Sequence, residues 1–170
     1  MKTSANKGMP TKLKDKIAPL SLPKPVMSNA SPTEKNITGK TFLIEPNVKN
    51  VKQLSFQFNN NVCYATILTD TAVYKISFGS GKWNPGETTM HGPYLVERAK
   101  ENLKGLPPFK IDGSYNWKDD NTLELVLRYI ESPHTEKLVC HFDGNKISVS
   151  MQNSFDYGKK EIVLNGESDK

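Results

Sequence analysis

Few residues of this chain have the types and spacings that catalysis requires. None of its three histidines, His91, His134 and His141, follows another at the short spacing of paired metal ligands. The Ser-x-x-Lys match at Ser4–Lys7 lies in a leader too flexible to supply the rigid helix start and oxyanion hole that a nucleophile needs. We therefore predict no catalytic residue, no cofactor and no metal ligand, and we do not expect this chain by itself to be an enzyme.

Six residues are candidates for an interface or a ligand site. They are the aromatic residues Trp83, Trp117 and Tyr129 and the polar residues Arg128, Glu131 and His134. The aromatic side chains are expected to fill a core or an interface. The polar ones lie close together in the connection between two strong apolar runs, where an Arg-Glu pair and a proline turn that fix a hairpin are favoured over a binding cluster.

From Gly39 onward the apolar residues alternate with polar ones, as they do along half-buried strands. Nine such runs occur, at 41–45, 54–58, 62–68, 72–78, 111–117, 123–129, 138–142, 147–151 and 161–164. Turn-forming stretches such as Asn59–Asn61 and Asp143–Asn145 predict hairpins between successive runs. The longer connection from Pro85 to Pro108 contains one expected helix, Pro93 to Leu103.

These elements predict an all-β fold. An antiparallel meander of about nine strands with one short crossing helix favours a closed, lipocalin-like barrel over a two-sheet sandwich. Gly81-Lys82-Trp83 resembles the Gly-x-Trp motif of lipocalins, although so short a match implies no ligand. Cys63 and Cys140 fall inside apolar strand patterns, which favours buried free thiols over a disulfide.

The first 38 residues differ from the rest in charge and proline content. They hold seven lysines against two acidic residues, so the net charge of +5 lies in this leader and residues 39–170 are neutral. Nucleic-acid binding is not expected, because it needs a basic surface on the folded domain. Apart from a short helix over Thr11–Ala18, residues 1–38 are predicted to be a disordered or extended linker before one domain at 39–167. No apolar run is long enough for a membrane span.

A set of short motifs extends from about Lys12 to Gly166. Among them are Leu20-Ser21-Leu22-Pro23, Phe78-Gly79-Ser80-Gly81-Lys82-Trp83, Gly105-Leu106-Pro107-Pro108-Phe109, Gly113-Ser114-Tyr115-Asn116-Trp117 and Asn153-Ser154-Phe155. Together they resemble the C-terminal region of bacterial serine hydrolases of the β-lactamase-related family, the group of class C β-lactamases and penicillin-binding-protein-like esterases. The catalytic domain of that family lies upstream, and its Tyr-x-Asn and Lys/His-Ser/Thr-Gly motifs are absent from this sequence. No catalytic residue can therefore be transferred.

The resemblance implies a non-catalytic accessory domain that docks on an upstream serine hydrolase catalytic domain, or shapes access to it, in an exported or periplasmic parent protein. The alternative is a free-standing lipocalin-like module that binds a small apolar ligand among its inward side chains. Small barrels are usually filled by those same side chains. The residues alone leave both interpretations open.

Overall fold

A computed structural model describes residues 9–20, 23–27, 30–93, 108–156 and 161–169. Two helices and ten strands lie in these residues. The helices are α1 (Met9–Ile17) and α2 (Thr33–Ile37). The strands are β1 (Thr41–Ile44), β2 (Val51–Asn59), β3 (Val62–Thr69), β4 (Val73–Ser80), β5 (Asn84–Thr88), β6 (Phe109–Asp119), β7 (Thr122–Tyr129), β8 (Thr135–Asp143), β9 (Lys146–Asn153) and β10 (Ile162–Ser168).

All ten strands belong to one sheet that closes on itself. Antiparallel neighbours follow in the order β4-β3-β2-β1-β10-β9-β8-β7-β6-β5. The ring closes because β4 and β5 lie along the same edge of β6. There β5 pairs antiparallel to β6, while β4 makes a short parallel pairing of Gly79 with Ser114 and Ser80 with Tyr115. The expected closed barrel is therefore confirmed, with one parallel contact within an otherwise antiparallel meander.

The strand that the sequence did not predict is β5, which lacks the period-two pattern of the other nine strands. Its sequence is Asn84-Pro85-Gly86-Glu87-Thr88, and both proline and glycine are depleted in strands. Pro85 is tolerated because β5 has a single ladder, to β6, so a residue without an N–H can face away from it. The expected crossing helix, Pro93 to Leu103, lies outside the described residues from position 94 onward.

Aromatic rings fill one end of the barrel, which we call the floor. It consists of Phe42, Phe56, Phe58, Tyr115, Trp117 and Phe142, whose neighbouring ring centroids are 5.7–6.4 Å apart. Several pairs meet edge to face, the arrangement that the ring quadrupoles favour. The floor is therefore densely packed and closed to a ligand.

The leader contributes to the floor from outside. Ile37 of α2 is 1% exposed, and the Glu34 carboxylate accepts a hydrogen bond of 2.7 Å from Trp117 Nε1. The Ser31 hydroxyl donates to the backbone oxygen of Asp120 at the β6–β7 turn. The domain boundary at residue 38 stays a prediction, but the segment just before it contacts the barrel. In the part of the chain that the structure describes, no helix is long and apolar enough to cross a membrane.

The closing contact between β4 and β6 leaves no space for a side chain at Gly113. A Cβ atom there would lie 2.3 Å from the backbone oxygen of Ser77 and 3.0 Å from the Phe78 ring. We expect Gly113→Ala to lower the free energy of unfolding in urea by about 1–3 kcal/mol, the usual cost of overpacking. Gly86→Ala is the control, because its nearest neighbour would be Ile111 at 3.8 Å. Equal stability of the two variants would contradict a tight β4–β6 contact.

The two cysteines are buried free thiols at 0% exposure. Burial raises the pKa of Cys63 well above its ordinary value and the pKa of Cys140 to about 12. Since the thiolate is the reactive form, we expect neither thiol to react with an aromatic disulfide reagent at about pH 8 until guanidinium chloride unfolds the protein. Release of one thiolate equivalent from the folded protein within minutes would show that the core opens there.

Candidate ligand site inside the barrel

Above the floor the barrel interior is lined mainly by aliphatic side chains. Ala65, Ile76, Leu125, Leu127 and Leu138 are each less than 7% exposed and surround a small cavity. Its volume is about 20 Å³, which is enough for about one water molecule. In this conformation the barrel is therefore filled by its own side chains.

The open end of the barrel, opposite the floor, is the mouth. Residues 89–93 follow β5 there, and the Met90 side chain reaches inward to line the cavity. The Tyr129 hydroxyl donates a hydrogen bond of 3.2 Å to the Met90 carbonyl oxygen. Gly92 lies against the Tyr129 ring, where an added Cβ would be 3.0 Å from the nearest ring carbon. Tyr129 thus holds this segment over the cavity.

Glu136 is the one ionisable residue among the described residues that line the cavity. It occupies an inward position of β8, in phase with the buried Leu138, Cys140 and Phe142. Burial is the main cause that raises the pKa of its carboxyl, Lys49 opposes the shift and Asp156 adds to it. Within the described structure this carboxylate takes part in no hydrogen bond or ion pair. The site therefore combines an apolar lining with one unpaired acidic group.

The three aromatic candidates lie in three different places. Trp117 is part of the floor, and Tyr129, which is 4% exposed, lies at the mouth. Trp83 is half-buried outside the barrel, where its Nε1 donates a hydrogen bond of 3.0 Å to the Pro23 carbonyl oxygen. Trp117 and Tyr129 therefore lie at opposite ends of the interior, and Trp83 lies outside it.

The three polar candidates take separate partners. The Arg128 guanidinium lies over the Trp83 ring, 5.0 Å from its centroid, on the outer face of β7. The Glu131 carboxylate accepts from the Lys110 backbone N–H at 3.4 Å and pairs with Lys110 Nζ at 3.8 Å. The His134 and Phe155 ring centroids are 4.4 Å apart. Arg128 Nε and His134 Nδ1 are buried and have no hydrogen-bond partner among the residues that the structure describes.

Sequence reasoning missed Glu136, Met90 and Met151, which line the cavity. The signal for Glu136 is present in the sequence, because an acidic residue continues the inward series of β8. Met151 continues the inward series of β9 in the same way. Met90 lies in a connection without periodicity, so its inward direction can be read only from the structure.

A larger hollow, of about 900 Å³, lies on the outer surface of β1, β8, β9 and β10. It opens to solvent, and its lining mixes Leu43 with the charged residues Asp143, Lys146 and Glu167. No group of three described His, Cys, Asp or Glu residues could hold a metal ion there or elsewhere. The interior is the better candidate, because ligand sites enclose most of the ligand surface in an apolar lining.

Comparison with solved structures finds this fold in fatty-acid-binding proteins. One from Schistosoma mansoni, in complex with arachidonic acid, is 9% identical with a TM-score of 0.56, over 81% of this chain and 99% of that one. One from Drosophila melanogaster brain, without citrate inside, is 12% identical with a TM-score of 0.52, over 77% and 98%. Apo lipid binding protein 8 of Caenorhabditis elegans is 8% identical with a TM-score of 0.52, over 83% and 100%.

At these identities the likeness shows the fold alone. No family model matches the sequence, and no curated protein matches it significantly. The matching structures are single barrels covered along almost their whole length.

The resemblance to the C-terminal region of β-lactamase-related serine hydrolases is therefore wrong, and so is the serine hydrolase context. The matching structures are fatty-acid-binding proteins, which removes the support for an upstream catalytic domain as a partner. The motifs misled because they lie at barrel-forming positions. Gly113–Trp117 is the closing part of β6, and Phe78–Trp83 runs from the end of β4 into the turn at Gly81. Such residues recur wherever an antiparallel barrel needs a close contact or a tight turn.

The raised pKa of Glu136 makes a prediction about stability and pH. A half-buried acid with a raised folded pKa binds protons more tightly when folded, so stability falls as pH rises from the ordinary carboxyl pKa through the folded value. We expect Glu136→Gln to raise the melting temperature at about pH 7, with a gain that shrinks towards about pH 4.

The matched control is Glu87→Gln, at an exposed position of β5. It should leave the melting temperature nearly unchanged at both pH values. A pH-independent gain in Glu136→Gln would show that packing, and not the charge, is responsible.

Proposed function

We propose that this barrel binds a small apolar ligand in its interior, between the floor and the mouth. The observation that carries the proposal is the enclosed lining of aliphatic and methionine side chains around a residual cavity. A protein of the same fold supports the proposal, because the fatty-acid-binding protein of Schistosoma mansoni was solved in complex with arachidonic acid. A closed barrel provides such a ligand with an apolar environment on all sides.

The ligand enters at the mouth. The floor is closed by interlocking aromatic rings and by α2, whose Ile37 is 1% exposed. At the other end the cavity is covered by the side chains of Met90 and Met151. Methionine is unbranched and flexible, so these side chains can rearrange at lower cost than the rings of the floor.

Binding requires the upper part of the interior to expand. Ligand sites usually have volumes of about 300–1,000 Å³, whereas the cavity in this conformation holds about 20 Å³. Withdrawal of Met90 together with residues 89–93 would add the space that its side chain now occupies. The segment follows β5 directly and is attached to the barrel by the hydrogen bond from Tyr129.

The test is to fill the cavity from a neighbouring position. Ala65 is 3% exposed and lines the cavity from β3, so Ala65→Leu places a larger side chain in the proposed site. We expect the unmodified protein to bind the neutral apolar dye Nile red saturably, with a blue shift of its emission. Because the added side chain would occupy space that the ligand needs, Ala65→Leu should weaken this binding by about tenfold or more.

Gln57→Leu is the control, because it adds the same side chain at an exposed position of β2. It should bind the dye like the unmodified protein, and circular dichroism should show that both variants are folded. Equal affinities in Ala65→Leu and Gln57→Leu, or no saturable binding at all, would contradict an interior site.

A further inference from the structure

The described lining of the cavity carries a single ionisable group, and that group is acidic. Glu136 is the one ionisable group among the described residues of its lining, and none of those residues is a lysine, arginine or histidine. The nearest charges that act on Glu136 come from the mouth. Lys49 attracts its charge from the turn after β1, and Asp156 repels it. Among the described lining residues, a ligand in the cavity would therefore meet one negative group and no positive one.

The Glu136 carboxylate is directed inward by the sheet itself. Its cross-strand neighbours are Leu127 on β7 and Asn153 on β9. Asn153 is already used, because its backbone N–H and side-chain amide both donate to the Asp156 carboxylate, at 2.6 and 3.0 Å. Leu127 offers no donor. The acceptor atoms of Glu136 thus remain without a protein partner in the described structure.

From this unpaired carboxylate in the cavity wall we infer that the ligand is an amphiphile with a hydrogen-bond-donating head group, best an alkylammonium, and not a fatty-acid anion. The inference rests on the proposed function and names the ligand class. An ammonium next to Glu136 forms a charge-assisted hydrogen bond and supplies the missing counter-charge. Two carboxylates brought together in an apolar interior would repel one another, and one of them would have to take up a proton.

The position of Glu136 also orients the ligand. It lies near the mouth end of β8, while Leu138 and Cys140 follow it towards the floor. A head group bound to Glu136 therefore leaves the alkyl chain pointing down the aliphatic interior, with Met90 and Met151 beside it. The fatty-acid-binding proteins that share this fold thus do not determine the head group that this barrel accepts.

The experiment compares three ligands with the same chain and different head groups. Dodecylamine, dodecanol and dodecanoate, each below its micelle concentration, compete with Nile red for the full chain at about pH 7.5, where the amine is charged. We expect dodecylamine to compete best and dodecanoate worst. Glu136→Gln should lower the affinity for dodecylamine by about tenfold or more. It should change the affinity for dodecanol by less than about threefold and raise the affinity for dodecanoate.

The control variant is Glu87→Gln, whose exposed carboxylate lies outside the barrel. This variant should bind the three amphiphiles with the same order of affinities as the unmodified protein. If dodecanoate binds best, or if Glu136→Gln leaves the order unchanged, the inference is overturned while the proposed function stands. If Nile red and all three amphiphiles fail to bind saturably, the proposed function is overturned and the inference falls with it.

Discussion

Closure of the barrel depends on the approach of β4 to β6. An open ten-stranded sheet would leave two rows of unpaired N–H and C=O groups, which the fold avoids by sharing the edge of β6 between β4 and β5. The approach is so close that the backbone oxygen of Ser77 occupies the space of a side chain at Gly113. Once the ring is closed, most inward side chains are shielded from water, and the interior acquires the low polarity on which its other properties depend.

The closed interior is divided into two parts with different mechanical character. At the floor, aromatic rings interlock and α2 covers them, with Glu34 fixed by Trp117. Towards the mouth the lining consists of aliphatic side chains with Met90 and Met151. Rings in edge-to-face contact have few alternative arrangements, whereas methionines have several. The mouth end of the cavity is therefore the part of the interior that can rearrange.

The same low polarity explains the behaviour of Glu136. A half-buried carboxylate loses part of its hydration, and in the described structure neither a backbone N–H nor a cationic side chain bonds to Glu136 in compensation. In its charged form the Glu136 carboxyl group therefore destabilises the barrel. A donor head group on the proposed ligand would replace the lost hydration, so the same carboxylate would favour that ligand over others.

The sequence by itself determined most of the barrel wall, because side-chain alternation is a local property of a strand. It revealed nine strands, and it places Glu136 in phase with Leu138 on the inward face of β8. Tertiary structure alone decided that β4 closes on β6, that α2 covers the floor and that Met90 points inward. These contacts join residues far apart in the chain, so no local period encodes them. The alternation also placed Trp117 and Tyr129 in inward series, whereas Trp83 lies in no alternating run and only the structure showed where it packs.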